Sequence, residues 1–130
     1  MNNEKDNVYD LVEDFYAHDE GWNTLLRQEY AEGFLRMEAW KGKKNSDLYR
    51  SWDNLTMLCL YLGSAETFLG DMNADDFIDC IAWCGRNISE FTPDYKNTQD
   101  FLETCDGLFK YLKGKNAISN DTVPGTAAEI

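Results

Sequence analysis

The sequence predicts an all-α protein: a single compact bundle of about five helices with a short disordered C-terminal tail. Three observations predict it. Apolar residues recur at three- and four-residue spacing through most of the chain. No run alternates apolar and polar residues as a half-buried strand would. Glycine, asparagine, serine and proline fall between the periodic segments, where helices start and stop. At 130 residues the chain fits one domain, and its 43% hydrophobic content excludes a mostly disordered polymer.

In the first segment Val8, Leu11, Val12, Phe15 and Tyr16 share one helical face. They predict a helix over 5–19 that Gly21 ends. Trp22, Leu25, Leu26, Tyr30, Phe34, Leu35 and Met37 predict a second helix, halted by "KGKKNSD". Gly33 lies inside it at a cost of about 1 kcal/mol relative to alanine, which points to a close approach at that position. Ser46 reads as an N-cap with Asp47 in the first turn. Leu48, Tyr49, Trp52, Leu55, Thr56, Cys59, Leu60 and Leu62 then form the cleanest stripe, with Gly63 as the terminating residue. "SAETFLG" predicts one further turn with Phe68 and Leu69 inward.

Phe77, Ile78, Ile81 and Cys84 predict a helix over 74–86, capped by Asn73 or Asp75. Thr92 followed by Pro93 predicts a cap and a first helical position. The last stripe is Tyr95, Thr98, Phe101, Leu102, Cys105, Leu108, Phe109 and Leu112, and Gly114 ends it. From Ser119 onward no periodicity remains, so the reading is a helical domain over 1–118 and a flexible tail over 119–130.

Charge narrows the function classes. Twelve Lys and Arg stand against 24 Asp and Glu, a formal net charge of −12. That field repels nucleic acid and anionic membranes and attracts basic proteins. The bases cluster at Arg36–Arg50 and at Lys110–Lys115, near helix ends where cations complement the C-terminal dipole. The polar start "MNNEKDNVYD" carries no signal-peptide pattern, and no apolar run is long enough to span a bilayer. The reading is therefore a cytoplasmic protein with reduced thiols and no membrane contact.

"GDMNADDFIDCIAWCG" places Asp71, Asn73, Asp75 and Asp79 at alternating positions, as in an EF-hand loop. Counted from Asp71, however, Asp76 stands where the loop needs glycine and Ala82 where it needs a bidentate Glu. The stretch is a capped helix start with surplus carboxylates. Cys80 and Cys84 share a helix face, while Cys59 and Cys105 stand singly, so all four cysteines read as small core hydrophobes. His18 reads as a polar cap at a helix end. No catalytic motif is present. No catalytic residue, metal ligand or cofactor is assigned.

The tryptophans carry the remaining signal. Trp22, Trp40, Trp52 and Trp83 exceed what one small core takes centrally. Trp40 lies at a helix end beside lysines, and Trp83 falls off the Phe77–Ile81–Cys84 stripe. Exposed tryptophan beside charge is typical of binding hot spots. Trp40, Lys43, Lys44, Trp83, Asp75, Asp76 and Asp79 are thus the predicted partner-binding residues.

Residues 46–118 also resemble the SAM-like core-binding domain of tyrosine recombinases. The likeness rests on Tyr49, Leu55, Leu62, Asp76, Phe77, Leu108, Phe109, Tyr111 and Leu112. It implies helical architecture only: no segment matches that family's catalytic domain with its Arg, His and Tyr nucleophile, and residues 64–106 are acidic where that family is usually basic. The leading expectation is a non-enzymatic protein that binds another protein. Two others stand beside it: an inhibitor of phage or mobile-element origin that imitates nucleic acid through its acids, and a DNA-binding helper derived from a recombinase.

Overall fold

Helix caps and glycines decide where the periodic segments become helices. The computed structural model describes residues 7–18, 25–118 and 123–128, which form six α-helices and no strand. The expectations resting on Gly21 and Trp22 lie outside them. Helix α1 spans Val8–Ala17, α2 Gln28–Trp40, α3 Asn45–Ala65, α4 Ala74–Asn87, α5 Tyr95–Gly114 and α6 Val123–Ala128.

Asn7 caps α1 by accepting from the Tyr9 N–H at 2.7 Å, leaving Val8 and Val12 buried. Phe15 meets Trp52 edge-on at 5.5 Å and so ties α1 to α3. Helix α2 buries Ala31, Phe34 and Leu35. A Cβ at Gly33 would lie 2.1 Å from the Tyr111 hydroxyl, so the glycine is what lets α5 approach there. Gly42 turns the chain between α2 and α3 at a φ of +100°, which other residues rarely adopt.

Helix α3 departs from the predicted ends. It starts at Asn45, and Lys44 at the cap makes no side-chain bond, so Ser46 is already helical. It also passes through Gly63 to Ala65. Glu66 closes it in the left-handed conformation at φ 54°, and the Thr67 N–H reaches back to the Leu62 carbonyl at 3.2 Å. That is the Schellman ending a glycine normally supplies. Beyond it Phe68 is 61% exposed and only Leu69 is buried, because one residue of the pair faces in at the 3-10 turn Leu69–Asp71.

Helix α4 begins with a capping box: Asn73 Oδ1 accepts from the Asp76 N–H, and Asp76 Oδ2 accepts from the Asn73 N–H, both at 2.9 Å. Its buried face is Phe77, Cys80 and Cys84, and Ile78 rotates outward. Helix α5 starts two residues later than predicted, because Asp94 rather than Thr92 accepts from the Asn97 N–H at 2.8 Å. Pro93 stays outside the helix and its ring packs over Gly85. Tyr95, assigned to the stripe, stands 81% exposed at the helix start.

Within the predicted tail of 119–130, the described residues 123–128 are helical. Val123–Ala128 form the short helix α6, with Pro124 and Ala127 buried. Six small residues carry too little periodicity to reveal it. Helix α6 packs on α4 and α5, while α3 packs on α1, α2, α4 and α5 and occupies the centre. Leu55, Leu58 and Leu62 of α3 meet Phe77, Phe101, Leu108 and Phe109 in one continuous core. Within it Asn54 and Thr104 are the buried polar residues among those described, and they bond each other across α3 and α5 at 2.9 Å.

Candidate functional site

Helix α2 ends in a turn that its own backbone holds. The Lys41 and Lys43 N–H groups donate to the Met37 and Glu38 carbonyls at 3.0 and 3.1 Å. That turn carries Trp40 outward, 88% exposed. Burying an indole removes roughly 200 Å² from water, worth about 5 kcal/mol at about 25 cal/mol per Å². This gain is available to a partner and not used by the fold.

Lysines surround the indole. Lys41, Lys43 and Lys44 are exposed, and Lys43 Nζ approaches Glu38 Oε1 at 4.0 Å. Lys43 closes the C-terminal turn of α2, where the helix dipole favours a cation, whereas Lys44 occupies the cap of α3, where it disfavours one.

Trp83 is built differently. It is half-buried and meets Tyr61 of α3 at 6.0 Å, edge-on, so it seals the α3–α4 contact. Of the three predicted carboxylates beside it, Asp76 is committed to the capping box, whereas Asp75 and Asp79 are exposed. Burial pushes the Tyr61 phenol up, and the neighbouring Cys80, Asp76, Asp79 and Cys84 push it further.

The structure does not gather these residues into one surface. Trp40 stands by the start of α3, and Trp83 rests on Tyr61, 16 residues along that helix from Asn45. At 1.5 Å per residue the two lie about 24 Å apart along α3. Trp40, Lys43 and Lys44 form one patch; Trp83, Asp75 and Asp79 belong to another.

The cysteines line the core as predicted for small hydrophobes: Cys59, Cys80, Cys84 and Cys105 are all buried thiols. Cys80 is held up by its bond to Cys84 and by burial, and Cys105 by burial and then by the neighbouring Cys84 and Cys59. Among the described residues no group of three His, Cys, Asp or Glu is placed to hold a metal ion. His18 closes the end of α1, its Nδ1 lying 2.7 Å from the Asp14 carbonyl oxygen. Sequence reasoning did not single out Phe68 and Tyr95 as surface aromatics, since the sequence puts Phe68 inward on a turn and Tyr95 in an apolar stripe, and it gave Asn54 no role.

Compared with protein-family models, with curated proteins and with solved structures, the chain matches none.

Proposed function

We propose that this protein acts by binding another protein, with Trp40 as the anchor of the contact. The observation that carries the reading is an indole 88% exposed on a turn fixed by backbone hydrogen bonds. A rigid, solvated aromatic loses little entropy on association and gains its full burial. The net charge of −12, with Asp75 and Asp79 among its exposed carriers, supports a partner with a basic surface, drawn in by the long-range field. The same field works against nucleic acid. Trp83 serves this reading less well, because its ring is already engaged with Tyr61.

The test compares wild type with Trp40→Ala. The variant unfolds within about 0.5 kcal/mol of wild type, since an exposed residue is removed. A partner co-purified from the native host at low salt is retained at least about tenfold less by the variant, the loss typical of a hot-spot tryptophan. Retention also falls as salt rises towards about 1 M. Equal retention by both proteins refutes the role of Trp40.

A further inference from the structure

A cleft of about 610 Å³ opens between the middle of α3, the α4–α5 connection and the start of α5. Its size falls within the range of roughly 300–1,000 Å³ usual for small-ligand sites. Met57 and Leu60 of α3, with Ile88 and Phe91 of the connection, supply an apolar floor.

Asn54 stands over that floor, 6% exposed. Its Nδ2 donates to Asp100 Oδ2 at 3.0 Å and to Thr104 Oγ1 at 2.9 Å. The Thr104 hydroxyl gives its own hydrogen to the Asp100 carbonyl at 3.2 Å, so its oxygen accepts from Asn54 and the amide orientation is determined. Asn54 Oδ1 is then left with no donor from the described residues. No fully buried side-chain polar atom among them lacks a partner, so Oδ1 reaches outside, through the cleft that Asn54 lines.

The charges on the rim have one sign to spare. Arg50 lies 3.8 Å from Asp47 and 3.9 Å from Asp100. Asp53 and Glu90 line the same cleft, and neither has a cation within ion-pair distance among the described residues. Partial burial raises the Asp53 carboxyl, as it does where a negative charge has lost water and gained no counter-charge. Arg50 stays beyond hydrogen-bond distance of both carboxylates, so its guanidinium is an unmet donor on the rim. Against it stand one amide oxygen and the carboxylates of Asp53 and Glu90 above apolar side chains, so acceptors and negative charge predominate.

We infer that this cleft binds an organic cation, an amine or guanidinium carried on an apolar body, with its N–H groups meeting Asn54 Oδ1 and its charge facing Asp53 and Glu90. An anion would meet the two carboxylates, and a purely apolar molecule would leave Asn54 Oδ1 dry. The cation's source is a free small amine or a basic side chain of a protein, and the inference does not rest on the role proposed for Trp40.

The test is an NMR titration of the full-length ¹⁵N-labelled chain. One arm uses phenethylamine, with phenethyl alcohol as its neutral counterpart. The other uses a blocked Leu-Arg-Leu peptide, with Leu-Gln-Leu as its counterpart. Saturable shifts are expected at the Asn54 side-chain amide and at Ile88–Phe91 below about 10 mM cation, with the neutral counterpart at least about fivefold weaker. Whichever cation binds more tightly identifies the source. Asp53→Asn, which sits on the rim and leaves the fold intact, weakens the cation about fivefold, and Glu90→Gln does the same to a similar degree. The inference is overturned if neither cation gives saturable shifts in the cleft, if the neutral molecules bind as tightly, or if both rim variants leave the affinity unchanged.

Discussion

Adding one methyl group at Gly33 tests the helix packing at its closest point. In an open helix Gly→Ala stabilises by about 1 kcal/mol. Here the new Cβ would lie 2.1 Å from the Tyr111 hydroxyl oxygen and 3.0 Å from Cζ, so the oxygen must retreat by more than about 1 Å to reach ordinary contact. The ring has little freedom to do so, since it meets Phe34 edge-on at 6.3 Å and Lys115 Nζ lies 5.6 Å from its centroid. Overpacking of this kind costs about 1–3 kcal/mol. Set against the propensity gain, Gly33→Ala should lower stability by about 1 kcal/mol and the midpoint by about 4 °C. Tyr111→Phe removes the clashing oxygen, so in that background the same change should be neutral or stabilising by up to about 1 kcal/mol. Urea unfolding of the four proteins, followed by circular dichroism, measures the coupling, which should reach at least about 1 kcal/mol. If Gly33→Ala stabilises wild type as it would an open helix, or acts equally in both backgrounds, the close approach of α2 and α5 is not what the glycine serves.

Three further outcomes follow from the same geometry. Glu66→Gly should raise stability by about 0.5–1 kcal/mol in urea unfolding, because it relieves the left-handed conformation at φ 54°; no rise would mean the glutamate contributes something beyond the ending of α3. Asn54→Ala should lower stability by about 1–3 kcal/mol by stripping a buried bond from Thr104, and adding Thr104→Ala should cost less than it does alone. Asp53 carries a pH signature: burial raises its carboxyl above the ordinary value of 3.8, so its favourable contribution is complete below that value and disappears as pH rises through the folded-state value. Asp53→Asn should therefore gain on wild type in thermal midpoint as pH rises from about 3 to 7, and a difference independent of pH would refute the assignment.

Where periodicity and capping chemistry agree, the helices were legible. Asn73 and Asp76 are three residues apart ahead of an apolar run, and they form the capping box that starts α4. Gly33 was legible too, because glycine within a helical stripe asks for a close neighbour, and Tyr111 is that neighbour. The misread ends share one cause. Gly63, Ser46 and Thr92 are residue types that suit a helix end, yet nearby residues end the helices instead, as Asp94 does by capping α5 and Glu66 by closing α3. At Gly63 the helix continued because Glu66 could accept the left-handed turn at a modest cost. Helix α6 was hidden because Pro124 and Ala127, buried three residues apart, are too small to stand out as a stripe.

The candidate sites divide along the same line. Trp40 breaks a pattern, a large apolar residue among lysines at a helix end, and such a break can be read without a structure. Asn54 sits beside Leu55 in the strongest stripe of the chain, and its partners Asp100 and Thr104 lie 46 and 50 residues away. A polar residue that takes its meaning from so distant a segment gives no local signal. The residues that carry the recombinase resemblance show the complementary case. Leu55, Leu62, Phe77, Leu108, Phe109 and Leu112 are all buried, and Asp76 caps α4. Any helical bundle must fill these positions with such residues, so the likeness carries information about packing and little about recognition. The proposed recognition rests instead on residues that the core does not require: an indole left in water, and an amide oxygen left without a donor.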